Sequence, residues 1–134
     1  MPFVGPRTST GVALALVVAG TAGCMRSASY PFRRDLVWRV AMTEATVWHP
    51  TLIDDDNRRV ISEKTDLAGT ELKYETKVEH DLNPFAPRPS TRVYVRMAQV
   101  KPQRRSFADL ERQFLRKVAA ILEAAARASR SQGE

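Results

Sequence analysis

At 134 residues, the chain is sized for one domain. Its content of 43% hydrophobic, 27% charged and 7% aromatic residues is ordinary for a soluble globular protein, and its single cysteine excludes an internal disulfide. The formal net charge of +6 invites an acidic partner, nucleic acid among the candidates, although solubility alone also accounts for it.

The N-terminal residues are the most informative. Arg7 is the sole charged side chain ahead of Cys24, and the uncharged run Gly11 to Ala22 follows it. A positive n-region before an apolar h-region is the pattern of a secretory signal. The run is too short to cross a bilayer, which needs about 20 residues. Export sets nucleic acid aside and leaves anionic lipid or cell-wall polymers as acidic partners. Small residues Thr21, Ala22 and Gly23 lead directly to Cys24.

Thr21-Ala22-Gly23-Cys24 resembles the lipobox of bacterial lipoproteins, with Thr21 standing where Leu is commonest. The resemblance implies cleavage between Gly23 and Cys24, a diacylglycerol on the Cys24 thiol and acylation of the new amino terminus. It also implies sorting to the periplasmic face of the outer membrane, since Met25 rather than Asp follows the cysteine. The alternative is ordinary secretion, with cleavage after Ala22 or Gly23 and Cys24 left as a free thiol. An exported free thiol is open to oxidation, which acylation prevents. Each buried acyl methylene contributes about 0.8 kcal/mol, so two or more chains anchor stably.

Residues 24–29 read as a tether between the signal peptide, 1–23, and a single domain, 30–128. Tyr30-Pro31-Phe32 opens that domain as a short edge strand, where Pro is tolerated. Asp35 to Trp48 reads as a helix with Val37, Val40, Ala41, Ala45 and Trp48 on one stripe and Asp35 at its start. His49-Pro50 ends it. Asp54 to Asn57 reads as a turn, Arg59 to Asp66 as a strand and Ala68-Gly69 as a reversal. Thr70 to His80 alternates throughout: Leu72, Tyr74, Thr76, Val78 and His80 share one face, and Glu71, Lys73, Glu75, Lys77 and Glu79 share the other. Asp81 to Ser90 carries Pro84, Pro87 and Pro89 and reads as a long hairpin loop. In the strand Thr91 to Val100, Val93, Val95 and Met97 alternate with Tyr94, Arg96 and Ala98, and Pro102 ends it. Ser106 and Asp109 form a capping-box-like start to the last helix, whose stripe is Phe107, Leu110, Phe114, Val118, Ile121 and Ala125. Residues 129–134 read as a frayed tail.

The order is β-α-β-β-β-α. It predicts an α+β fold, an antiparallel sheet of three to four strands with two helices packed on one face. The early Asp35-Leu36-Val37-Trp38 helix start and the closing amphipathic helix resemble the small helix-grip domains of bacterial envelope lipoproteins, including those of the outer-membrane assembly lipoprotein BamC.

No catalytic, metal or cofactor motif emerges, and we expect none of the three. His49 with Asp54–Asp56 offers metal-ligand types but lacks the spaced acids and glycine of a calcium loop, so a solvated turn is expected. His80 has no Ser or Cys nucleophile tied to it by a motif. The ladder Glu71 to Glu79 is either a partner face or a solvated one. Arg33-Arg34, Arg58-Arg59 and Arg104-Arg105 are candidates to gather against anionic head groups, and the loop around Phe85 is a second candidate contact. The expectation is a non-enzymatic envelope protein, anchored through acyl chains on Cys24 and contacting another envelope protein. The rival is a binder of a lipid or other small apolar ligand, for which a cavity lined by Trp38, Trp48, Tyr74 and Phe114 is the requirement.

Overall fold

The structure, a computed structural model, describes residues 25–133. Cys24, the Gly23–Cys24 bond and the whole signal region lie outside the described residues. The fold is α+β, an open antiparallel sheet of six strands with two helices. Its elements are β1 (Arg26–Tyr30), α1 (Arg34–Ala45), a 3-10 turn (Thr46–Trp48), β2 (Leu52–Asp54), β3 (Arg59–Thr65), β4 (Glu71–His80), β5 (Thr91–Lys101), β6 (Arg105–Ser106) and α2 (Ala108–Gly133). The sheet order is β1-β5-β4-β3-β2, with β6 also on β5.

The sheet holds more strands than the three to four expected. Residues 26–29, read as a tether, are β1: Arg26 pairs with Val95 and Tyr30 with Thr91. Small Ser27, Ala28 and Ser29 carry little hydrophobic signal, and β5 supplies the ladder that orders them. The β2 strand escaped notice because three residues show no periodicity; it pairs with β3 across the Asp54–Asn57 turn. Ser106, expected to cap the last helix, belongs instead to β6, opposite Ala98. The closing helix continues to Gly133, through the residues read as a tail.

Alternation in β4 and β5 divides the sheet as expected. Val60, Thr76, Val78, Val93 and Val95 are fully buried on one face, and both helices cover that face. The first helix buries Val37, Trp38, Val40, Ala41 and Ala45. On α2 the buried stripe is rotated from the expected one. Glu111, Phe114, Leu115, Val118 and Leu122 are buried, while Leu110 and Ile121 are more than a third exposed.

Glu111 explains the rotation. Its carboxylate accepts the Arg26 Nε–H at 3.2 Å and the Met97 backbone N–H at 2.8 Å. β4 lines one side of β5 throughout, so β1 and β6 share the other. The β1 ladder stops at Val95 and β6 begins at Ala98, which leaves the Met97 N–H between them. A buried N–H without a partner costs about as much as a lost hydrogen bond, and Glu111 supplies that partner. Nearby, Tyr30 donates its hydroxyl to the Leu115 carbonyl at 2.7 Å, and burial pushes its pKa far up.

Removing one member of a buried ion pair strands the other and costs about 3–5 kcal/mol. Glu111→Ala is therefore expected to lower the free energy of urea unfolding by about that amount. Asp109→Ala, which breaks only the exposed pair with Arg112, should change it by less than about 1 kcal/mol. Equal effects would place the constraint elsewhere.

Candidate functional site

Where β4 ends and β5 begins, the ten residues of the 81–90 loop must leave the sheet and return. Asp81 secures its base. The Asp81 carboxylate accepts the Ser29 hydroxyl of β1 and the Asn83 N–H at 3.0 Å, and it faces Arg92 at 3.5 Å. The Asp81 N–H donates to the Ser90 carbonyl at 3.1 Å, closing the loop. Burial alone would raise the Asp81 pKa, but the Ser29 and Asn83 hydrogen bonds and the Arg92 charge outweigh it and hold the group below the usual carboxylate range. Beyond this latch, Leu82 and Phe85 project into solvent at 90% and 92% exposure.

The loop, the start of α1 and the strand ends border a half-open groove of about 830 Å³. Arg33, Arg34 and Arg88 line it, with His80 from the end of β4 and Leu82, Pro87 and Pro89 along the loop side. Arg34 is fixed by donating its Nε–H to the Val78 carbonyl at 3.3 Å. Arg33 is the N-cap of α1, with extended backbone and no side-chain cap. Ser90, also in the groove, gives its hydroxyl to the Pro87 carbonyl, so His80 gains no nucleophile from it.

The three arginine pairs do not gather, which corrects the expectation of one cluster. Arg33 and Arg34 lie at the groove, and Arg58 reaches that end to pair with Asp35 at 2.9 Å. Arg59 turns to the open sheet face and faces Glu75 at 3.8 Å. Arg104 and Arg105 lie at the opposite end, where β6 meets Gln99. The separation from Thr91 to Gln99 along β5 is about 27 Å at the rise of an antiparallel strand. Arg88 joins Arg33 and Arg34 instead, brought there by the loop.

The charged ladder forms the sheet face away from the helices. At its centre Glu75, only 9% exposed, lies between Arg59 and Arg96, the latter at 3.5 Å, and Lys77 stands 5.1 Å over the Tyr94 ring. Much of the ladder's charge is thus met within the sheet.

His49 sits at the end of the 3-10 turn with a left-handed φ of 54°. Asp54 accepts both the side-chain and backbone N–H of Asn57, which hold its pKa down, and Asp55 accepts the Trp38 ring N–H at 3.1 Å. These acids organise the turn and its contact with α1. Among the described residues no group of three or more His, Cys, Asp or Glu is placed to hold a metal ion.

The aromatic residues pack on one another. Trp48 meets Tyr74 edge-on at 5.6 Å and Phe114 at 5.1 Å. Beside them lies a half-open depression of about 220 Å³ that Trp38 does not line. Pockets for small ligands run to about 300–1,000 Å³, so this depression is small for that purpose.

Among the described residues no helix is long and apolar enough to cross a membrane. No protein-family model, curated protein or solved structure matches the chain.

A carboxylate whose pKa is lowered by folding stabilises the fold fully above its unfolded pKa of about 3.9, and the gain disappears as pH falls through the folded value. Asp81→Asn should therefore lose stability at neutral pH and flatten the decline below about pH 4. Urea midpoints from pH 6 to 2 measure it; parallel curves for variant and wild type would show that Asp81 contributes nothing to acid unfolding.

Proposed function

We propose that this chain is a lipid-anchored bacterial envelope protein, a non-enzymatic accessory domain that works by contacting another envelope protein. The anchor is Cys24, read from the lipobox-like Thr21-Ala22-Gly23-Cys24, and Met25 gives the outer membrane as the destination. The proposal also takes the sheet and its two helices as a helix-grip-like variant. The observation that carries the contact role is the latched 81–90 loop, which holds Leu82 and Phe85 almost wholly in solvent. Large apolar side chains are costly to expose, and aromatic anchors on fixed loops dominate protein interfaces. The packed aromatic cluster beside a small depression favours this reading over the apolar-ligand one.

Only Met25 separates Cys24 from β1. In this reading the domain rests close against the bilayer, because one residue spans at most about 3.6 Å. The chain enters the sheet next to Arg105 and Ser106 of β6, an arrangement that supports basic side chains near the head groups in this reading. The groove and the loop lie at the far end of β5.

Intact-mass spectrometry of the protein from bacterial membranes tests the anchor. The wild type should begin at residue 24 and carry the mass of acyl chains, and Cys24→Ser should not. A chain cut at or before Gly23 with a free thiol overturns it. A photo-crosslinking residue at Phe85 tests the contact in living cells. It should give one discrete protein adduct, whereas the same residue at Leu67, in the exposed β3–β4 turn, should give none. Absence of any adduct at Phe85 removes the contact role.

A further inference from the structure

Three arginines, Arg33, Arg34 and Arg88, line the groove at the loop end, and two acids line it with them. Among the described residues, no carboxylate lies within ion-pair distance of Arg33, Arg34 or Arg88. Of the two acids, Asp35 is 79% exposed and Asp81 is buried. Asp35 is held by Arg58 at 2.9 Å, and Asp81 is 3% exposed and held by Ser29, Asn83 and Arg92. Arg34 is held by one Nε–H, and its terminal amino groups make no hydrogen bond or ion pair within the described residues. The Arg33 and Arg88 side chains have no hydrogen-bond or ion-pair partner there. The uncapped start of α1 adds the positive end of a helix dipole to the same wall.

From these observations we infer that the groove between the 81–90 loop and the start of α1 binds a phosphate ester. Three arginines lining one groove suit a multiply bonded oxyanion, because each guanidinium presents a fork of donors matched to phosphate oxygens. Their number exceeds what one carboxylate needs. Size selects an ester over the bare ion: about 830 Å³ lies within the range that holds an organic ligand, many times the volume of inorganic phosphate. Leu82, Pro87 and Pro89 give its carbon portion an apolar wall. The site requires neither the Cys24 anchor nor the Phe85 contact.

Titration calorimetry on the full chain in a neutral detergent tests this site. The probes are glycerol 3-phosphate, a soluble monoester, and glycerophosphoglycerol, the phosphodiester head group of phosphatidylglycerol. Saturable binding of either supports the site. Preference for the diester identifies a lipid head group as the source, and preference for the monoester a soluble ester. Arg33→Gln with Arg88→Gln removes two exposed cations that support no other contact. It should weaken binding at least about tenfold, since one lost charge-assisted hydrogen bond has that effect. Arg104→Gln with Arg105→Gln removes the same charge at the other end of the sheet and should leave binding unchanged. Unaltered thermal unfolding of both variants shows that they remain folded. No saturable binding of either probe by the wild type at 10 mM, on the order of the weakest useful affinity, overturns the inference. So does equal weakening by the two pairs, which would reduce the effect to net charge.

Discussion

The Glu111 carboxylate joins three segments that are far apart in the chain. It holds Arg26 of β1, occupies the unpaired Met97 N–H of β5, and itself belongs to α2. A carboxylate at 5% exposure is costly unless both oxygens are satisfied. That cost fixes the rotation of α2, because turning Leu110 and Ile121 inward would carry Glu111 away from both donors. It also seats β1 at the sheet edge. The remaining packing of Leu115, Val118 and Leu122 follows from this rotation.

Beyond that constraint, charge is distributed unequally over the molecule. On the open sheet face, acids and bases lie opposite one another, and Glu75 takes two arginines. Such pairs contribute little individually, but they discourage a second sheet from docking there. At the loop end the balance differs. Asp35 and Asp81 are drawn to Arg58 and Arg92, and the groove retains guanidiniums without carboxylate partners. Local surplus charge of one sign, held on a fixed scaffold, is what recognition of an oxyanion requires.

The two ends of β5 therefore have different chemistry. One pairs with β6, next to the point where β1 begins opposite Val95 in mid-strand; the other carries the groove and the exposed Phe85. The proposed anchor and contact would then stand about 14 Å apart along β5, the rise of the four residues from Val95, opposite Arg26, to Thr91 at the loop.

Periodicity made most of the secondary structure legible. The alternation of Leu72 to Val78 and Val93 to Met97 gave both central strands and their buried face, and Val37 to Ala45 gave α1 with its stripe, although the expected helix tightens into a 3-10 turn over Thr46–Trp48. The lipobox-like residues ending at Cys24 and the loop prolines are likewise local signals, and local sequence sets local geometry. Long-range partners were not legible. Ser27 to Ser29 become a strand only because β5 offers a free edge. Glu111 is buried only because Arg26 and Met97 meet it, with Arg26 lying 85 residues away. The groove is of the same kind: Arg88 of the 81–90 loop lines it with Arg33 and Arg34 from the start of α1, while Arg104 and Arg105 are carried to the other end. Sequence determined which segments would be helix or strand and which faces were apolar. Tertiary structure decided which charges would meet, because a charge finds its partner in space and not along the chain.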